Sequence, residues 1–207
     1  MKAQYHREIT IQALSHSFGP AALQTIIAAN LGQDALRYQF GHDHFHFDNN
    51  SFAAGNAYIQ KLRQTVWDAL ERNEARLAHE NFGRLTHTVQ DLYAHSNYIS
   101  LWRQHNPAAA PQEIDPIIPW LLQNPLLQSG KLYYPLEALS FIPFLKPFVV
   151  PLLPRDSHAW MNIDEPACQN FEFAFAAALK RSVSEYFAII EKLPPRQKAL
   201  FAGINMT

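Results

Sequence analysis

A chain of 207 residues, 48% hydrophobic and 17% charged with a net charge of −1, can build one substantial core but has no charge excess with which to grip duplex DNA. Its one cysteine, Cys168, excludes an intramolecular disulfide and a thiolate zinc knuckle. Any metal must then be held by nitrogen and oxygen, which suits Zn²⁺ but also Mn²⁺ or Fe.

The opening stretch MKAQYHREITIQALSH has no apolar h-region, so the chain as written is expected in the cytoplasm, or secreted or periplasmic if an upstream leader was removed. No run of about 20 apolar residues predicts a transmembrane helix. Residues 5–17 carry Ile9, Ala13 and Leu14 at helical spacing and end at Gly19-Pro20. Pro20 suits the first turn of a second helix running to about Tyr38, with Asp34 near its end. Residues 39–50, QFGHDHFHFDNN, read as a loop with three histidines and two aspartates. Ser51 can cap a long helix over 52–79.

The segment 82–102, FGRLTHTVQDLYAHSNYISLW, sets His87, Asp91 and His95 four residues apart. Steps of four drift only about 40° around a helix, so the three share one face, while Leu85, Val89, Leu92 and Tyr93 seat the other. His87 and Asp91 lie one turn apart and can share an ion. His95 more naturally serves a second, and Asp91 could bridge. Spacing alone equally allows solvated residues or core histidines with hydrogen-bond partners.

Ten of the fourteen prolines fall within 105–154, an apolar insertion too proline-rich for long helices. Such pieces can cover the core, or expose an apolar face over 116–154 that makes shallow contact with a membrane surface. His158 follows. Asp164 then reads as an N-cap, with Pro166 just inside, for a last long helix over 167–193 in which Phe171, Phe175, Leu179 and Val183 form a core stripe. No strand signal is persuasive. The expected fold is all-α, a single helical domain over 1–207 with four or five principal helices.

The stretch LTHTVQDLYAHSNYI resembles the central motif of zinc-dependent phospholipases C and the related single-strand-specific zinc nucleases, with HTVQDLYAHSNY nearest the Het-C-like branch. HREITIQAL, HFHFDN and SHAWMNID resemble the early His, the ligand loop, and the late His and carboxylate. The resemblance implies a helical bundle of that type with two or three zinc ions: Asp34, His46, His87 and Asp91 on the first, His95, His158 and Asp164 on the second, and His6 with bridging Asp91 on the third. His44 competes with His46, Glu165 with Asp164, and Asp43 or Asp48 with Asp34. The family's third zinc also uses an N-terminal Trp, where this chain has Met1. The implied activity is a phospholipase C-like metal-dependent phosphodiester hydrolase acting on phospholipid or another phosphodiester. Asp91 would help position the attacking water and Asp48 act as general base. Two alternatives are a nuclease stacking bases on Tyr93, Tyr98 or Trp102, and a non-catalytic interaction protein with a structural metal site. His42-Asp43 sits in a loop beside Gly41, whereas an HD-type phosphohydrolase needs that pair on a helix.

Overall fold

The computed structural model describes residues 1–38 and 41–204. The fold is all-α: the described residues form helices and two isolated β-bridges, Ser96 with Ser129 and Lys131 with Ser157, and no strand. Gln39 and Phe40, at the start of the expected loop, lie outside the described residues.

Helix α1 (Ala3–Leu14) leads to α2 (Pro20–Leu31), which Pro20 opens as expected. α2 stops at Gly32 rather than near Tyr38. Glycine is a weak helix former, and the chain goes on as 3₁₀ turns, Gly32–Asp34 and Leu36–Tyr38. The histidine-rich loop holds a one-turn helix, α3 (Asp43–His46), and a 3₁₀ turn, Asp48–Asn50. Phe47, Asn49 and Asn50 are left-handed (φ 60, 53 and 57).

The helix expected over 52–79 ends early, as α4 (Phe52–Glu71), and the helix that carries His87, Asp91 and His95 begins earlier than residue 82, as α5 (Ala75–His95). The break falls at Asn73, left-handed at φ 59, a conformation asparagine tolerates better than most residues. Ser51 makes no side-chain cap bond: its backbone (φ −72, ψ 36) is outside the extended region an N-cap needs. α5 ends at His95, extended Ser96 follows, and α6 (Tyr98–His105) begins anew, so 82–102 is two helices.

α5 is the axis of the molecule. α2, α4 and α11 (Phe171–Ile190) pack around it, and every residue from Leu85 to His95 is buried. Gly83 allows the closest approach, since a Cβ there would strike the Ile26 carbonyl and the Ala29 side chain of α2. The expected stripe of α11 is displaced. Phe171 is buried as expected, but the buried face continues through Ala174, Ala177, Ala178, Ser182, Glu185 and Ile189, while Phe175, Leu179 and Val183 are half-buried at its flanks. Small residues let α11 lie close against α5.

Asp164 does not cap this helix. Asn170 precedes it, and α11 starts later than expected. Pro194-Pro195 ends the segment as expected, but Pro195 also opens a further helix, Pro195–Ala202, because proline fits a first helical turn. The insertion forms the short helices α7 (Pro119–Leu122), α8 (Leu136–Ser140) and α9 (Lys146–Val149), followed by α10 (His158–Met161).

Candidate metal centre

Two groups of ligand-type side chains converge at the C-terminal half of α5. Asp34, His46, His87 and Asp91 form one, and Asp48, His95 and His158 the other, with donor atoms inside each group all within 4.8 Å of one another. The short strip 129–131 knits their segments together. Gly130 N–H donates to the His95 carbonyl (2.9 Å), Asn49 N–H to the Gly130 carbonyl (2.9 Å), and His158 N–H to the Lys131 carbonyl (2.9 Å). Ser129 Oγ donates to the Phe47 carbonyl. Gly130 lies so close to the His158 backbone that a Cβ would not fit. Buried Glu137 accepts from the Ala159 N–H (2.7 Å), fixing the turn that carries His158.

The first group contains a triangle. His46 Nδ1 stands 2.9 Å from Asp91 Oδ2, His87 Nε2 stands 3.0 Å from the same oxygen, and the two nitrogens are 3.1 Å apart. With Asp91 ionised, as its neighbours hold it, no placement of protons satisfies all three edges. A proton on one imidazole leaves the other nitrogen's lone pair facing the carboxylate. Protons on both set two donors against each other. A cation among the three atoms satisfies every edge. Donors about 2.0–2.1 Å from a tetrahedral zinc stand about 3.3 Å apart, near the observed edges and near the 3.6 Å from His87 Nε2 to Asp34 Oδ1.

Electrostatics agree with the geometry. Burial pushes the His87 imidazole down to about 4, against the pull of Asp91, so it is neutral and ready to ligate at neutral pH. Burial pushes Asp48 upward, but His158 and His95 more than reverse this and hold it well below the usual carboxylate range. Asp91 behaves likewise: burial is overcome by the Met1 amino group, His95, His87 and His6. Buried ionised carboxylates of this kind need cations nearby. Here the Met1 amino group, raised to about 11 against the effect of burial, and His95, held well above its ordinary value by Asp91 and Asp48 despite burial, supply them. His6 Nε2 and Asp164 Oδ1 are buried without a hydrogen-bond partner, as atoms left for an ion are; His46 Nε2 and His87 Nδ1, also unpartnered, are the ring nitrogens outside the triangle.

A buried polar layer sets the orientation of His6. Thr10 Oγ donates to the His6 carbonyl (2.7 Å) and Ser182 Oγ to that of Ala178 (2.8 Å), so both hydroxyls can only accept from Gln90 Nε2 (3.3 and 3.0 Å). Gln90 Oε1 therefore faces His6 Nδ1 at 2.6 Å and accepts its proton. That leaves His6 Nε2 as the ring nitrogen turned to Asp91, 3.0 Å from its Oδ1. The Met1 amino nitrogen is also there, 2.7 Å from Asp91 Oδ1 and 3.1 Å from Asp164 Oδ1.

Of the residues singled out from sequence, His6, Asp34, His46, His87, Asp91, His95, His158 and Asp164 come together. Asp164 Oδ1 lies 3.4 Å from His95 Nε2, whereas Glu165 pairs with Lys2 at the surface. His44 lies outside both groups, packed edge-on against Tyr58, because one turn of α3 sends it away from His46. Asp43 accepts from Asn49 (2.9 Å) instead of replacing Asp34. Asp48, expected as a general base, stands among the donors of the second group, 2.9 Å from His158 Nδ1. Tyr93 and Tyr98 are fully buried and Trp102 nearly so, which removes the expected stacking slot. A cavity of about 470 Å³ opens at the second group, where Asp48, His95 and His158 meet Leu132, Tyr134 and Phe141. Gln90, Asn30, Thr10 and Ser182 went unnoticed in the sequence. Their signal was polar residues at core-facing helix positions.

Residues 2–112 match the model of the VWA7 N-terminal domain. The chain belongs to the VWA7 N-terminal domain family. It is 35% identical over 95 residues to von Willebrand factor A domain-containing protein 7 of Homo sapiens, a stretch covering 42% of this chain and 10% of that protein. The same protein of Rattus norvegicus is 32% identical over 88 residues, with the same shares covered. The chain thus spans about a tenth of the length of the curated relatives it matches. No solved structure matches. Membership in the VWA7 N-terminal family overturns the resemblance to zinc-dependent phospholipases C, zinc nucleases and the Het-C-like branch, and with it the expected phosphodiester hydrolase and its catalytic roles for Asp91 and Asp48. The resemblance rested on ligand spacing, and spacing reports how a helix presents donors, not which reaction follows. The match includes the whole first group. His158 and Asp164 lie beyond it.

Proposed function

We propose that this VWA7-type N-terminal domain is a metal-binding module that holds two transition-metal ions, Zn²⁺ in the first instance and Mn²⁺ or Fe as alternatives. His6 and Asp91 Oδ1 provide for a third. The triangle of His46, His87 and Asp91 carries the proposal, because no protonation state that leaves Asp91 ionised satisfies it. The ligands come from α1, the turn after α2, α3, α5 and the segment beyond the insertion. Ions among them would tie distant parts of the chain together, and their binding energy would add to folding stability.

Elemental analysis of protein purified without chelators, then stripped and reloaded with zinc, tests this. Two or three ions per chain, with one fewer in His87→Ala, are expected. Less than one ion per chain after reloading, with no rise in thermal stability, would overturn the proposal.

A further inference from the structure

The insertion carries its most exposed apolar side chains on one side of a short helical stretch. Phe144 and Phe148 are each 74% exposed and Leu152 70%. The three are four residues apart along consecutive turns that run through helix Lys146–Val149 and the 3₁₀ turn Val150–Leu152. Val149 and Leu153 point inward and are buried, so the turns are anchored and their outer face has nothing to pack on. Phe141, half exposed, extends the face.

Beside this face is a cleft of about 620 Å³ that Lys146, Arg155 and Trp160 help to line. Arg155 stacks on the Trp160 ring, its guanidinium carbon 3.8 Å from the ring centre, and Trp160 Nε1 donates to the Leu153 carbonyl (3.2 Å). Neither Lys146 nor Arg155 pairs with a carboxylate among the described residues. The carboxylate in the cleft, Asp156, is taken by Lys131 and by the Tyr133 hydroxyl, both at 2.8 Å. Within the insertion, Glu137 is buried and engaged with backbone N–H groups.

We infer that this face docks on an anionic lipid surface, with Phe144, Phe148 and Leu152 entering the acyl boundary and Lys146 and Arg155 meeting headgroup phosphates at the level of Trp160. An apolar tip bordered by unpaired cations and a half-wet indole is the arrangement a water–lipid boundary selects. A protein partner with an apolar groove would cover the phenylalanines but would leave the two cations unanswered. Among the described residues no helix is long and apolar enough to cross a membrane, so the contact is shallow and reversible. It is independent of the metal centre.

Vesicle flotation tests it, with phosphatidylcholine vesicles made with and without phosphatidylserine. The wild-type chain is expected to float with phosphatidylserine vesicles, less at high salt, and to stay behind with phosphatidylcholine alone. Phe144→Asp/Phe148→Asp and Lys146→Glu/Arg155→Glu should each lower partition on the order of tenfold or more, with unchanged circular dichroism. Wild type that never floats, or variants that float equally well, would overturn the inference. So would a wild-type dimer in solution that Phe144→Asp/Phe148→Asp makes monomeric without any lipid binding, since the face would then join two copies of the chain.

Discussion

The 2.6 Å contact between His6 Nδ1 and Gln90 Oε1 determines which nitrogen of His6 points at Asp91. Gln90 has no freedom to turn over, because Thr10 and Ser182 have committed their protons to helix carbonyls. Gln90→Leu therefore leaves a buried imidazole N–H without an acceptor. It is expected to lower unfolding stability by about 1–3 kcal/mol, read as a reduced urea midpoint in the metal-free protein. An unchanged midpoint would show that the network holds nothing in place.

Asp91 reaches further than Asp34. Its Oδ2 belongs to the His46–His87 triangle, while its Oδ1 faces His6 at 3.0 Å and His95 Nε2 at 3.8 Å. The Asp34 side chain is one-third exposed and touches the edge of the first group. In zinc titrations Asp91→Asn should abolish the first ion and weaken the second, a loss beyond the ~10–100-fold that follows removal of an outer partner. Asp34→Asn should weaken only the first. Equal effects of the two variants would contradict the double reach of Asp91.

Gly83→Ala places a methyl group against the Ile26 carbonyl and the Ala29 side chain, where backbone must move. A loss of about 1–3 kcal/mol is expected. Gly32→Ala meets nothing within 4 Å and should be neutral or slightly stabilising, by about 0.4–1 kcal/mol. Thermal melts of the pair check this. If both behave alike, α2 and α5 are not held in their close approach.

His79 gives the fold a pH dependence away from the proposed metal centre. Burial pushes its imidazole below the ordinary value, despite the bond its Nε2–H donates to the Phe201 carbonyl (2.7 Å). The unfolded chain thus takes up the proton more readily. The stability His79 contributes is complete above about pH 6.5 and is lost as pH falls below it. The difference in melting temperature between wild type and His79→Gln should narrow between about pH 7.5 and about pH 5. A constant difference would show that His79 carries no such linkage.

The His87, Asp91 and His95 set was legible because α5 is regular: three such side chains four residues apart must share a face wherever that helix lies. Asp48 could not be placed from sequence. Its position depends on the left-handed Phe47 and Asn49 around it, and no local pattern says which way such a turn aims a side chain. The break at Asn73 was hidden in a run of charged residues that suits helix and turn alike. The buried face of α11 was missed because alanine and serine carry little hydrophobic signal, although they are what brings α11 close enough for Ser182 to reach Gln90 (3.0 Å).

Diffraction from zinc-loaded crystals at the zinc absorption edge tests the metal centre most directly. An anomalous peak about 2.0–2.1 Å from His46 Nδ1, His87 Nε2 and Asp91 Oδ2, with a second beside Asp48, His95 and His158, is the predicted result. Density at neither place, with the three atoms of the triangle still within 3.1 Å of one another, would contradict it.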